Sequence, residues 1–123
     1  MPIGFGSSGF SQRPDQTAML TIRDVQRVVA HIYNVSLHQI VCERRCRDVT
    51  EPRLIAMWIC GTILVDKSIS QIARSFKRDR TTITHGIRRG REITAYSLEH
   101  IEKVNQIIET LRDRAKNNEA NLP

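Results

Sequence analysis

"SISQIARSFKRDRTTITHGIRR", residues 68 to 89, sets Ile69, Ile72, Ala73 and Phe76 at i, i+3, i+4 and i+7, the spacing of one buried helix face. Ser68 stands where an N-cap hydroxyl serves the free backbone donors of such a helix. After a break at Lys77 and Arg78, Asp79 takes the same place for a second helix, whose inward positions are Ile83, Gly86, Ile87 and Gly90. Two helices, a tight polar turn and small residues that permit close approach match the helix-turn-helix pattern.

With Ile83 and Ile87 turned inward, the opposite surface presents Arg80, Thr81, Thr82, Thr84, His85, Arg88 and Arg89. Lys77, Arg78 and Arg80 crowd a helix start that already carries the positive end of the backbone dipole, which is unfavourable unless an anion sits there. The whole chain of 123 residues has 19 Lys and Arg against 13 Asp and Glu, a net charge of +6. Residues 67 to 93 alone hold eight basic and two acidic groups, so the surplus sits almost entirely at this motif. Nucleic acid is the first partner that such a cluster implies.

In a helix-turn-helix module the second helix enters the major groove with its N-terminal residues against base edges. Arg80 is long enough for a bidentate contact to guanine. Thr81 and Thr82 offer a hydroxyl to a base or a methyl to thymine, and Asp79 accepts from cytosine. Lys77, Arg88, Arg89 and Arg91 are expected on phosphate, where they position without specifying.

Outward from this motif every element reads as helical. Ile22, Val25, Val28, Val29 and Ile32 predict a first helix over 21–33, with Thr21 as N-cap and Asp24 in its first turn. Ser36 is suited to cap a short helix that runs into the loop "CERRCRDV", residues 42 to 49, which holds Arg44, Arg45 and Arg47. Thr50, Glu51 and Pro52 read as a cap, an early acid and a first-turn proline. The apolar "RLIAMWICGTIL" behind them is expected to form the central helix. "SLEHIEKVNQIIETLRDRAK", residues 97 to 116, carries Leu98, Ile101, Val104, Ile107, Ile108 and Leu111 on one stripe with Ser97 as cap.

The expected architecture is therefore all-α: a compact helical bundle containing a helix-turn-helix, with an added C-terminal amphipathic helix. Residues 1–18 are expected to be a flexible tail, 19–94 the DNA-binding domain, 95–116 the amphipathic helix and 117–123 a frayed end.

The motif "SISQIARSFKRDRTTITHGIRR" resembles the signature of the C-terminal DNA-binding domain of the bacterial replication initiator DnaA, in the ordered Arg78, Asp79, Thr81, Thr82 and His85. The likeness extends back through "ERRCRDVTEPRLIAMWI", similar to that family's basic loop and central helix, and covers roughly residues 20 to 93. The resemblance implies a domain that reads a short duplex box, with Asp79, Arg80, Thr81 and Thr82 facing bases and Arg44 or Arg45 in the minor groove. It places Arg53, Lys67, Arg78 and His85 at phosphate or in support; Arg47 is expected among the phosphate contacts as well. A minor-groove arginine reads groove width and potential more than base identity. Three positions depart from the family pattern: Arg80 stands for a usual histidine, Ser70 for a common proline and Lys77 for a usual glycine.

This chain contains no G-x-x-x-x-G-K-[ST] phosphate loop, so nucleotide binding is not expected, and neither is a cofactor. Cys42, Cys46 and Cys60, an odd set behind the leaderless "MPIGFGSSGF", suit a reduced, cytoplasmic and nucleoid-associated protein. Cys42 and Cys46 with His31 and His38 lack the spacing of a common zinc finger or ribbon, so no metal is expected. No run approaches 18 uninterrupted apolar residues, and no membrane span is expected. An enzyme is not expected, since the basic segment offers only Asp79 and Glu92 as acids and no cysteine with a partner base. The expected function is sequence-specific double-stranded DNA binding, in replication-initiation control or transcription regulation, by site occupancy. The alternatives are a weakly specific DNA binder, or a homodimeric interaction module that pairs through the C-terminal helix.

Overall fold

A computed structural model describes residues 20–41, 49–64 and 66–120. The tail at 1–18, Cys42, Cys46 and the loop arginines Arg44, Arg45 and Arg47 lie outside the described residues. Six helices and no strand occur among the described residues: α1 (Ile22–Ile32), α2 (Leu37–Val41), α3 (Thr50–Ile63), α4 (Ile69–Phe76), α5 (Arg80–Tyr96) and α6 (Leu98–Ala120).

Three of the starts use one device, a hydroxyl at the cap and a side-chain acceptor three residues on, each serving the other's backbone N–H. Thr21 Oγ1 accepts from the Asp24 N–H at 3.0 Å while Asp24 Oδ2 accepts from the Thr21 N–H at 2.9 Å. Ser36 and Gln39 repeat this before α2, and Ser68 and Gln71 repeat it before α4. Thr50 departs from the expectation: it is the first helical residue of α3, Val49 holds the cap position, and no side chain caps it. Val49 carries no side-chain acceptor, so this helix start goes without the bond that a capping hydroxyl would supply.

α3 lies at the centre of the bundle and packs against α1, α2, α4 and α5. It buries Ile55, Ala56, Met57, Ile59 and Cys60, with Leu54 and Trp58 half-buried at its margin. Around it stand Val25, Val28 and Val29 of α1, Ile40 of α2, Ile72 and Phe76 of α4, and Ile83 of α5, all 2 % exposed or less. Burial of one such side chain contributes about 1.5–3 kcal/mol, so this cluster is the main source of stability.

α4 ends on Lys77, whose backbone is left-handed at φ 55° and ψ 43°. The Arg78 N–H returns to the Ala73 carbonyl at 3.0 Å, closing the helix end in the loop that usually takes glycine. A side chain in this conformation costs about 1 kcal/mol. Lys77→Gly should therefore raise the unfolding free energy by about 1 kcal/mol, read as a higher urea midpoint at unchanged slope.

α6 folds back onto α1 and α5. Val104, Ile107, Leu111 and Ala115 are each 4 % exposed or less. Arg114 pairs with Asp24 of α1 at 3.3 Å, and His100 Nδ1 lies 2.7 Å from the Tyr33 hydroxyl at the end of α1. Most of the apolar stripe considered for pairing with a second copy thus packs inside the chain, with Ile101 and Ile108 half-buried and Leu98 left 80 % exposed, because a small bundle has more to gain by enlarging its own core. No helix among the described residues is long and apolar enough to cross a membrane.

Candidate nucleic-acid interface

Close approach of α5 to α3 sets the orientation of the basic helix. Gly86 and Gly90 are buried on the α3 side, where an added Cβ at Gly90 would stand 2.8 Å from the Leu54 carbonyl carbon and 2.9 Å from Trp58 Cβ. Ile83 is fully buried one turn earlier and Ile87 half-buried between the glycines. With that seam inward, Arg80, Thr81, Thr82, Thr84, His85, Arg88 and Arg89 are all exposed on the other side of the helix.

Asp79 starts the helix. Its Oδ1 accepts the Thr82 N–H at 2.7 Å, and that bond, with a further one from the Thr82 side chain, holds its carboxyl below the usual carboxylate range. Asp79 thus keeps its charge under ordinary conditions and anchors the first turn at the point where Arg80, Thr81 and Thr82 project. The Thr84 hydroxyl donates back to the Arg80 carbonyl at 3.0 Å and is committed to its own helix.

The remaining basic residues differ in how they are held. Arg89 pairs with Glu92 at 3.3 Å and Lys67 with Asp66 at 3.3 Å, both near the surface. Exposed pairs of this kind contribute at most about 1 kcal/mol, so an incoming phosphate can displace the acid. Lys77, Arg80 and Arg88 are exposed, and no acid pairs with them among the described residues. Arg78 is half-buried beside the turn.

Arg53 is placed differently. It is 7 % exposed, and its guanidinium donates from Nε to the Ile40 carbonyl at 2.9 Å and from Nη2 to the Gln39 carbonyl at 2.7 Å. These are carbonyls of the last turn of α2, which lack helix partners of their own. Of the two roles that resemblance implied for Arg53, this geometry is that of support. Its inward direction has a signal in the sequence: Arg53, Ala56, Met57 and Cys60 fall at i, i+3, i+4 and i+7, and all four are buried.

A cleft of about 520 Å³ opens between the first turns of α3 and the outer face of α5. Thr50, Leu54 and Met57 form one wall, and Thr82, His85, Arg88 and Arg89 form the other. Sequence reasoning gave no sign of this cleft, since its two walls are some 30 residues apart in the chain. The structure brings Arg78, Thr82, His85, Arg88 and Arg89 together at its edge, whereas Lys67 does not line it.

The family model described as bacterial dnaA protein helix-turn-helix matches residues 22–89, more than half of the chain. The chain belongs to the bacterial DnaA helix-turn-helix family. The DnaA match runs from the first residue of α1 to Arg89, so it contains the whole of α4, the turn and the first ten residues of α5. The chromosomal replication initiator protein DnaA of Rickettsia canadensis is 35 % identical over 96 residues, covering 77 % of this chain and 20 % of the relative. The DnaA of Rickettsia massiliae is 34 % identical over the same extent, and that of Rickettsia bellii 35 %. The chain thus spans about a fifth of the length of these DnaA proteins. What it shares with them is the DNA-binding helix-turn-helix, and the match does not include an ATPase module.

Proposed function

We propose that this protein binds double-stranded DNA by laying the first turn of α5 in the major groove of a DnaA-type box, and regulates replication initiation or transcription by occupying such sites. One observation carries the reading: Asp79, Arg80, Thr81 and Thr82 are four consecutive exposed residues at the start of a helix whose opposite face is locked to the core. Side chains at a rigid helix start discriminate bases well, because little entropy is lost on contact.

Arg80 reads guanine, Thr81 and Thr82 contact neighbouring base edges, and Asp79 holds the turn and accepts from a base amine. Lys77, Arg78, His85, Arg88 and Arg89 lie on phosphate, with Lys67 at the margin. Arg44 or Arg45 takes the minor groove, on the strength of the family resemblance, and Arg47 a nearby phosphate. Arg53 supports the site from within. The work is done on nucleoid DNA in the cytoplasm.

Two substitutions test the division of labour. Arg80→Ala should cost about 1–3 kcal/mol at one or two base pairs of the box and flatten preference there. Arg88→Ala should weaken box and scrambled duplexes alike and lower the salt slope by about 0.9. Uniform weakening by both changes would remove Arg80 from the bases.

A further inference from the structure

Arg23 and Arg27 lie one turn apart on α1, both exposed, and neither has a hydrogen-bond or ion-pair partner among the described residues. Two like charges at i and i+4 repel across the helix surface, which is unfavourable unless an anion joins them. Their direction follows from the neighbours of α1. Asp24 on one flank pairs with Arg114 of α6 at 3.3 Å. On the other flank the Gln26 side-chain amide donates to the Ser75 carbonyl, at 3.1 Å, in the last turn of α4.

At 100° per residue, Arg23 and Arg27 stand about 60° and 100° from Gln26 on the arc that leads to Asp24 at about 160°, since residues 26, 30, 23, 27, 31 and 24 follow one another around the helix. Arg23, the nearer to Gln26, therefore borders the end of α4, where the chain turns through the exposed Lys77 into α5, and Arg27 continues the same exposed arc toward α6. α1 itself packs on α2, α3, α4 and α6, so this flank adds surface outside the reading helix.

We propose that Arg23 and Arg27 form a phosphate track, continuous with Lys77 at the turn, that extends the footprint on the same duplex beyond the base pairs read by α5. The inference rests on the DNA-binding reading above and adds a second contact region to it. The track is built of paired guanidinium forks, which suit phosphate oxygens bidentately, and it offers no groove-reading geometry. It should supply affinity and salt dependence without changing sequence preference.

The test is the double variant Arg23→Gln/Arg27→Gln, two exposed helix positions where glutamine keeps helix propensity. Binding is measured by anisotropy against salt on two duplexes: a long one with the box centred, and one trimmed to the box. Each lost phosphate contact lowers the salt slope by about 0.9, so the long duplex should lose about 1.8. Between about 50 and 200 mM salt, that slope difference makes the wild type lose about tenfold more affinity than the variant. On the trimmed duplex the two proteins should bind alike.

An unchanged slope on the long duplex, with Arg88→Ala still lowering it, would overturn the track and leave the major-groove reading intact. An equal drop on both duplexes would place the two arginines within the box and overturn the extension. Failure of the wild type to bind either duplex would instead reject the DNA-binding reading on which the track depends.

Discussion

Gly90→Ala should destabilise the protein by about 2 kcal/mol and abolish tight DNA binding. A methyl group at this position meets backbone, with the Leu54 carbonyl oxygen and carbon and Trp58 Cβ all inside contact distance. Backbone cannot step aside as a side chain can, so α5 must move off α3, and overpacking of this kind costs about 1–3 kcal/mol or more. Alanine returns about 1 kcal/mol of helix propensity, which offsets part of the loss. Gly61→Ala is the control: its methyl meets the flexible tip of Ile87, at 2.7 Å from Cδ1, and the propensity gain should leave that variant near neutral. Urea midpoints of the two variants give the comparison. Equal midpoints would mean that the close seam between α3 and α5 does not set the position of the reading helix.

Arg53→Ala should cost about 3 kcal/mol, because two charge-assisted hydrogen bonds at 2.9 and 2.7 Å vanish and the Gln39 and Ile40 carbonyls lose their donor. Arg53→Lys should recover less than half of this, since an ammonium lacks the planar fork that reaches both carbonyls. The measurement is again an unfolding curve, taken beside DNA affinity at two salt concentrations. A variant with wild-type stability and a reduced salt slope would put Arg53 on phosphate instead.

The helix-turn-helix was legible because its information is local. Ser68 and Asp79 as caps, the spacing of Ile69, Ile72, Ala73 and Phe76, and the glycines at 86 and 90 are each read within one or two turns of chain. Thr50 lies one residue inside the helix it is expected to cap, since local signals fix a helix end only to within a residue or two. The fate of α6 was open for another reason. An apolar stripe such as Val104, Ile107 and Leu111 specifies that a face will be buried, and leaves unsaid whether α1 or a second copy will cover it. Asp24 and Arg114, paired at 3.3 Å across 90 residues of sequence, had no local sign of their meeting.

The candidate site divides in the same way. Periodicity placed Arg80, Thr81, Thr82, His85, Arg88 and Arg89 on one surface, and all six are exposed there. Exposure is a property of one helix. The pairing of Arg89 with Glu92, the cleft between α3 and α5, and the bonds from Arg53 to α2 depend on packing between elements.

The most direct test of the central claim is anisotropy binding of the intact protein to a duplex bearing a DnaA-type box and to a scrambled duplex of equal length, at low and near-physiological salt. The account predicts box-dependent binding whose preference persists as salt rises, since base contacts at the start of α5 carry it. Equal and steeply salt-dependent binding to both duplexes would contradict it.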